Sequence, residues 1–174
     1  MKNVRYIVVV GAVMAFFAAD VLAQRRPVRR TPTPPRVVTT NTAVTQAAAM
    51  KEGAEKVAIQ IKNTTRFLYI LGGVAKGIED LDKDTRANRA AREANEANKQ
   101  DLLQAIRNLR AGLAALEVEF RTKDPLKRHL IHIQGITDLS GQTEDLARAG
   151  RFMDAGKPLL TVVEKLSDTL VAMR

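Results

Sequence analysis

A chain of 174 residues with no cysteine has length for one domain with a real core, which must be held by packing alone rather than by disulfides. Aromatic residues are scarce: there is no tryptophan, and beyond residue 23 only Phe67, Tyr69, Phe120 and Phe152 remain. Sugar and single-stranded nucleic-acid sites rely on stacking platforms, so this composition argues against both classes, and the net charge of +9 has to be explained otherwise.

The first segment reads as an export signal. Lys2 and Arg5 make a positive start, residues 6–19 form an apolar run broken only by Gly11, and Val21, Leu22 and Ala23 place small residues where a signal peptidase cuts. A retained membrane anchor is the alternative, although the run is shorter than the ~20 residues that span a bilayer. Cleavage near Ala23 predicts a periplasmic or extracellular protein with a basic linker at 24–42 and a helical domain at 43–174. No cysteine stands near that site, which excludes a bacterial-type lipid anchor.

Beyond residue 23 the chain carries 26 basic and 18 acidic residues, a net charge of +8. Five of those charges, Arg25, Arg26, Arg29, Arg30 and Arg36, fall in one stretch without an acid, leaving only +3 for the rest. The same stretch holds four of the six prolines, so it cannot bury a core and reads as an extended, disordered arm. Such an arm is either a spacer or an electrostatic tether to an anionic envelope surface or envelope protein. Specific nucleic-acid binding by the folded body is not implied.

Residues 43–78 carry the organising pattern. Ala43, Ala47, Met50, Ala54, Val57, Ile61, Thr64, Leu68, Leu71, Ala75 and Ile78 alternate at spacings of four and three, which predicts one long helix from 43 to about 82 capped by Asn41 or Thr42. Within it, residues 67–71 are apolar all round, as a helix enclosed by several neighbours requires. A short buried strand ended by Gly72 and Gly73 fits that run alone, but the heptad continues on both sides. Gly72, Gly73 and Gly77 are expected to kink the helix or admit a close neighbour.

A second helix is expected from about 85 to 121, with small residues first and Leu102, Ile106, Leu109, Leu113, Leu116 and Phe120 after them. Folded back antiparallel, it would set its alanines beside Gly72 and Ala75. Asp124 and Pro125 predict the cap and first residue of a third helix ending at Gly150, and Pro158 the start of a fourth. The two shorter helices should cover the lower part of the hairpin and leave 76–96 as a charged tip.

Three constellations carry residue types that could support chemistry. Asp80, Asp82 and Asp84 open like a calcium loop, but Thr85 stands where that loop needs glycine and Ala91 where it needs glutamate, so a helical-hairpin turn capped by Asp84 or Thr85 explains them better. His129 and His132 share an i, i+3 spacing that could ligate a metal, yet no carboxylate lies three or four residues from either. Residues 150–155 resemble a tetratricopeptide turn once, without the 34-residue period, and read as an ordinary connector because Pro158 would intrude into the helix such a turn begins.

The expectation is therefore an all-α antiparallel four-helix bundle, or a long helical hairpin with two shorter helices, without cofactor or metal. Its expected function is non-enzymatic: an exported interaction or scaffold module whose arm contacts anionic envelope surfaces. A chaperone for unfolded clients and a metal- or ligand-dependent enzyme centred on His129 and His132 are the alternatives. A seam of this length can also continue into a homo-oligomer.

Overall fold

The computed structural model describes residues 39–174, whose six helices include no strand: α1 (Thr39–Lys83), α2 (Arg89–Thr122), the single turns α3 (Asp124–Lys127) and α4 (Leu130–Ile133), α5 (Ile136–Arg148) and α6 (Phe152–Ala172). The expected signal at 1–23 and residues 24–38 of the expected linker lie outside the described residues, and α1 begins at Thr39, inside the span 24–42 expected for that linker. α1 packs beside α2 and α6, and α5 closes the ring between α2 and α6. The packed neighbours run antiparallel. In α1 and α2, Ile78 meets Asn95 while Lys56 meets Glu119; in α1 and α6, Glu79 meets Met153 while Gly53 lies against Met173.

The all-α expectation holds over these residues, and most of the seam is inside. Val57, Thr64, Leu71, Ala75 and Ile78 are buried and Met50, Ala54, Ile61 and Leu68 half-buried, against Leu102, Ile106, Leu113, Leu116 and Phe120 from α2. Ala43 and Ala47 are exposed, because α6 ends opposite Gly53 and the first turns of α1 overhang it. Asn41 and Thr42 lie inside α1 rather than capping it.

Two expectations about α1 are corrected. Residues 67–71 are not enclosed: Phe67 and Leu71 are buried, whereas Tyr69 is 85% exposed, since a helix with neighbours on one side has only one buried face. The close approach is not at Gly72, Gly73 or Gly77 either, where an added Cβ would meet nothing within 4 Å. It is at Gly53, where a Cβ would stand 2.7 Å from Leu126 Cδ2 and 3.2 Å from Met173 Cε.

The other boundaries shift for local reasons. α2 starts at Arg89, with Asn88 Oδ1 accepting the Ala91 N–H at 2.8 Å, because Asp84 is occupied in the turn, where its Oδ1 accepts the Arg86 N–H at 2.8 Å. The expected third helix is broken into α3, α4 and α5, α3 being entered from Lys123 rather than from an Asp124 cap, and Gly135 at φ +87° turns the chain into α5. Gly150 at φ +73° ends α5 as expected. α6 begins at Phe152, not Pro158, which lies inside it. Phe152, Ala155, Leu159 and Val162 are all essentially buried on one face, so the burial outweighs the backbone hydrogen bond that proline removes. The reach of α6 to Glu79 also shortens the free tip.

Neither α5 nor α6 has a local side-chain cap. The long hairpin supplies both. Glu117 of α2 accepts the N–H groups of Gly135 (3.2 Å) and Thr137 (3.1 Å) and the Thr137 hydroxyl (2.8 Å), while Glu79 of α1 accepts the Met153 N–H at 2.8 Å. A carboxylate at a helix N-terminus satisfies donors the helix leaves free and complements its dipole.

Thr64 is fully buried in the seam, and its hydroxyl has no hydrogen-bond partner. Thr64→Val is expected to stabilise the fold by about 1 kcal/mol, and Phe120→Ala to destabilise it by about 3–5 kcal/mol, in urea unfolding at neutral pH. Ile131→Ala, at an exposed position, should change little.

Candidate interaction surfaces

One face of the ring gathers arginines. On α5, Glu144 follows Gly141 by three residues and precedes Arg148 by four, so all three share a helix face; on α2, Arg107 and Arg110 are likewise i, i+3 neighbours. Glu144 Oε1 accepts from Arg107 Nε at 3.0 Å and from an Arg148 terminal nitrogen at 2.5 Å, and its Oε2 from an Arg110 terminal nitrogen at 3.0 Å. Gly141 lies beside this group, where a Cβ would stand in ordinary contact, 3.5 Å from the Arg110 guanidinium carbon.

The Glu144 side chain is 5% exposed, but the three arginines are each about half exposed. The Arg107 hydrogen bond, aided by those of Arg110 and by the charge of Arg148, holds the Glu144 carboxyl below its ordinary range against the opposing effect of burial. Each guanidinium has five N–H donors, which one carboxylate cannot exhaust. Three cations fixed by one buried anion therefore present oriented donors at a surface that favours anions.

Burial likewise raises the Glu117 carboxyl, but the Thr137 and Gly135 hydrogen bonds and the Arg121 charge outweigh it and leave the net shift downward. Glu119, in turn, is paired with Lys56 at 2.8 Å and with Lys123. These acids serve the fold's own donors.

The hairpin tip separates the acidic trio. Asp80 pairs with Lys76 at 2.5 Å, Asp82 with Lys99 at 2.5 Å and with the Asn95 amide at 2.8 Å, and Asp84 sits in the turn. His129 is buried, and burial followed by the charges of Arg128 and His132 pushes its imidazole pKa down. Arg128 Nε donates to His129 Nε2 at 2.9 Å, while His132 is exposed. Among the described residues, no three histidine or acidic side chains are grouped to hold a metal ion.

The outward face of α1 is the second candidate. Ile59, Tyr69, Ile70 and Val74 are exposed there with Lys62 and Arg66, and a surface depression of about 610 Å³ is lined by Ile61, Lys62, Thr65, Arg66 and Tyr69. Among the described residues no helix is long and apolar enough to cross a membrane.

Arg25, Arg26, Arg29, Arg30 and Arg36, the residues expected to contact an anionic surface, lie outside the described residues. The Glu144 cluster is not legible in the sequence because Arg107 and Arg110 stand 37 and 34 residues from Glu144, and the local Arg148 pair alone reads as an ordinary i, i+4 helix pair. The outward face of α1, by contrast, is legible in the recurrence of Ile59, Arg66, Ile70, Gly73 and Gly77 at helical spacing. In comparisons with known proteins, no family model, curated protein or solved structure matches this chain.

A group whose folded pKa is depressed stabilises the fold above its unfolded pKa, and that stability is lost as pH falls through the folded value. Glu117 and Glu144 are both of this kind. Glu117→Gln and Glu144→Gln should therefore each lower thermal stability at pH 7, with the deficit shrinking below about pH 4 as the native carboxylates protonate. Melting temperatures between neutral and acid pH measure it.

Proposed function

We propose that this chain is an exported, non-enzymatic interaction module of a cell envelope, in which the helical bundle is a scaffold and the basic arm a tether to anionic surfaces. The observation that carries this reading is the distribution of charge. Arg25, Arg26, Arg29, Arg30 and Arg36 stand in a stretch with no acid of its own. The buried carboxylates of the bundle are already met by the bundle's donors, Glu144 by three arginines and Glu117 by Thr137, Gly135 and Arg121.

The chemistry fits phosphate and carboxylate groups densely displayed on a surface. Guanidiniums take such groups pairwise, and each basic residue near an anionic membrane contributes about 1 kcal/mol. The half-exposed arginines around Glu144 favour the same class of partner from within the bundle.

The test is cosedimentation of the chain from Gln24, with and without residues 24–36, against anionic liposomes and isolated cell wall. The deletion leaves the compact unit Val37–Arg174 whole, so helicity should be unchanged. Binding is expected to fall on deletion and to decline steeply between about 50 and 500 mM salt, as the screening length shortens. Equal binding by both proteins would remove the tether.

A further inference from the structure

We propose that the outward face of α1 is an interface between two copies of this chain, packed antiparallel about a two-fold axis at Gly73. The face is apolar at its centre and has no neighbour among the described residues. Tyr69 is 85% exposed, Ile59 51% and Ile70 43%, all on the side of α1 opposite its buried seam. Gly73 and Gly77 lie among them, and a side chain at either would meet nothing within 4 Å. Glycine weakens a helix relative to alanine, and no contact inside the bundle accounts for it here. A second helix lying across this face does.

Charge selects the occupant and its direction. Along the outward side of α1 Lys62 and Arg66 stand just before the glycines and Asp80, with Lys76 bonded to it, just after them, while the acidic Glu55 lies nearer the start of the helix. Antiparallel packing about Gly73 sets position 66 of one copy against 80 of the other and 69 against 77. Arg66 thus meets Asp80, and the Tyr69 ring lies over the bare backbone of Gly77. Because the axis is two-fold, each pairing occurs twice, as an isologous interface requires.

Parallel packing would instead set Arg66 against Arg66 and Asp80 against Asp80. A lipid surface would favour Lys62 and Arg66 but repel Asp80 on the same face. Lys76, which is bonded to Asp80 within α1, falls opposite Ile70 and leaves the alternation intact. A copy of the chain answers both ends of the face at once.

This proposal stands independently of the arm, so dimerisation should survive deletion of residues 24–36. Sedimentation of the chain from Gln24 is expected to show a dimer, and a monomer at every concentration would overturn the interface. Arg66→Glu and Asp80→Lys should each weaken dimerisation about tenfold or more, and the double variant should recover most of it. Failure of the double variant to recover would overturn the antiparallel pairing. These positions are exposed, and circular dichroism checks that each variant keeps its helices.

The chain has no cysteine, so introduced thiols report directly. A disulfide needs Cα atoms about 4.4–6.8 Å apart, which only residues near the axis reach. Gly73→Cys should crosslink readily on mild oxidation, whereas Ile59→Cys, whose copies would be about 40 Å apart, should not. The reverse pattern would place the axis elsewhere. If the chain stays monomeric and Tyr69→Ala abolishes binding to anionic vesicles, lipid is the occupant and the dimer is wrong.

Discussion

The short helices of this fold start on carboxylates lent by the long ones. α5 begins where Glu117 of α2 takes the N–H groups of Gly135 and Thr137, and α6 begins where Glu79 of α1 takes that of Met153. Helix N-termini leave donors unpaired, and in each of these two cases the local sequence provides no capping side chain. The hairpin of α1 and α2 therefore does more than offer an apolar face. It fixes where the second pair of helices starts, which sets their register against Leu113, Leu116 and the rest of the core.

This arrangement ties packing to electrostatics. Once Glu117 directs the chain into α5, Gly141 comes to lie under Arg110, and Glu144 falls between α2 and α5 within reach of three arginines. A buried carboxylate is tolerated only when charge and hydrogen bonds compensate its desolvation, and here both are supplied. The arginines are left oriented and half exposed, so a requirement of stability leaves a surface suited to anions.

α1 shows how one sequence can carry two stripes. Its seam faces α2 and α6, and its other side carries Ile59, Tyr69 and Ile70, followed by Gly73 and Gly77, where an added Cβ would meet nothing within 4 Å. A helix of this length, flanked on one side only, can serve the core and an external partner with different residues. The glycines that would weaken an ordinary surface helix are tolerated because the seam is anchored on both flanks, at Leu71 and at Ala75 and Ile78.

By itself the sequence determined the class and most of the core. The spacing from Met50 to Ile78 and from Leu102 to Phe120 named the buried faces, because apolar residues at helical periodicity have few other solutions, and Gly150 marked a helix end through its left-handed backbone. Only the tertiary structure decided that α6 starts at Phe152 ahead of its proline, that Gly53 rather than Gly72 or Gly73 meets a neighbour, and that Tyr69 faces outward. It alone decided the caps and the arginine cluster. Those depend on pairs such as Glu117 with Thr137 and Arg107 with Glu144, which are remote in sequence. Periodicity reports which face of a helix is apolar; which helix meets that face, and at what height, is set by contacts no local pattern contains.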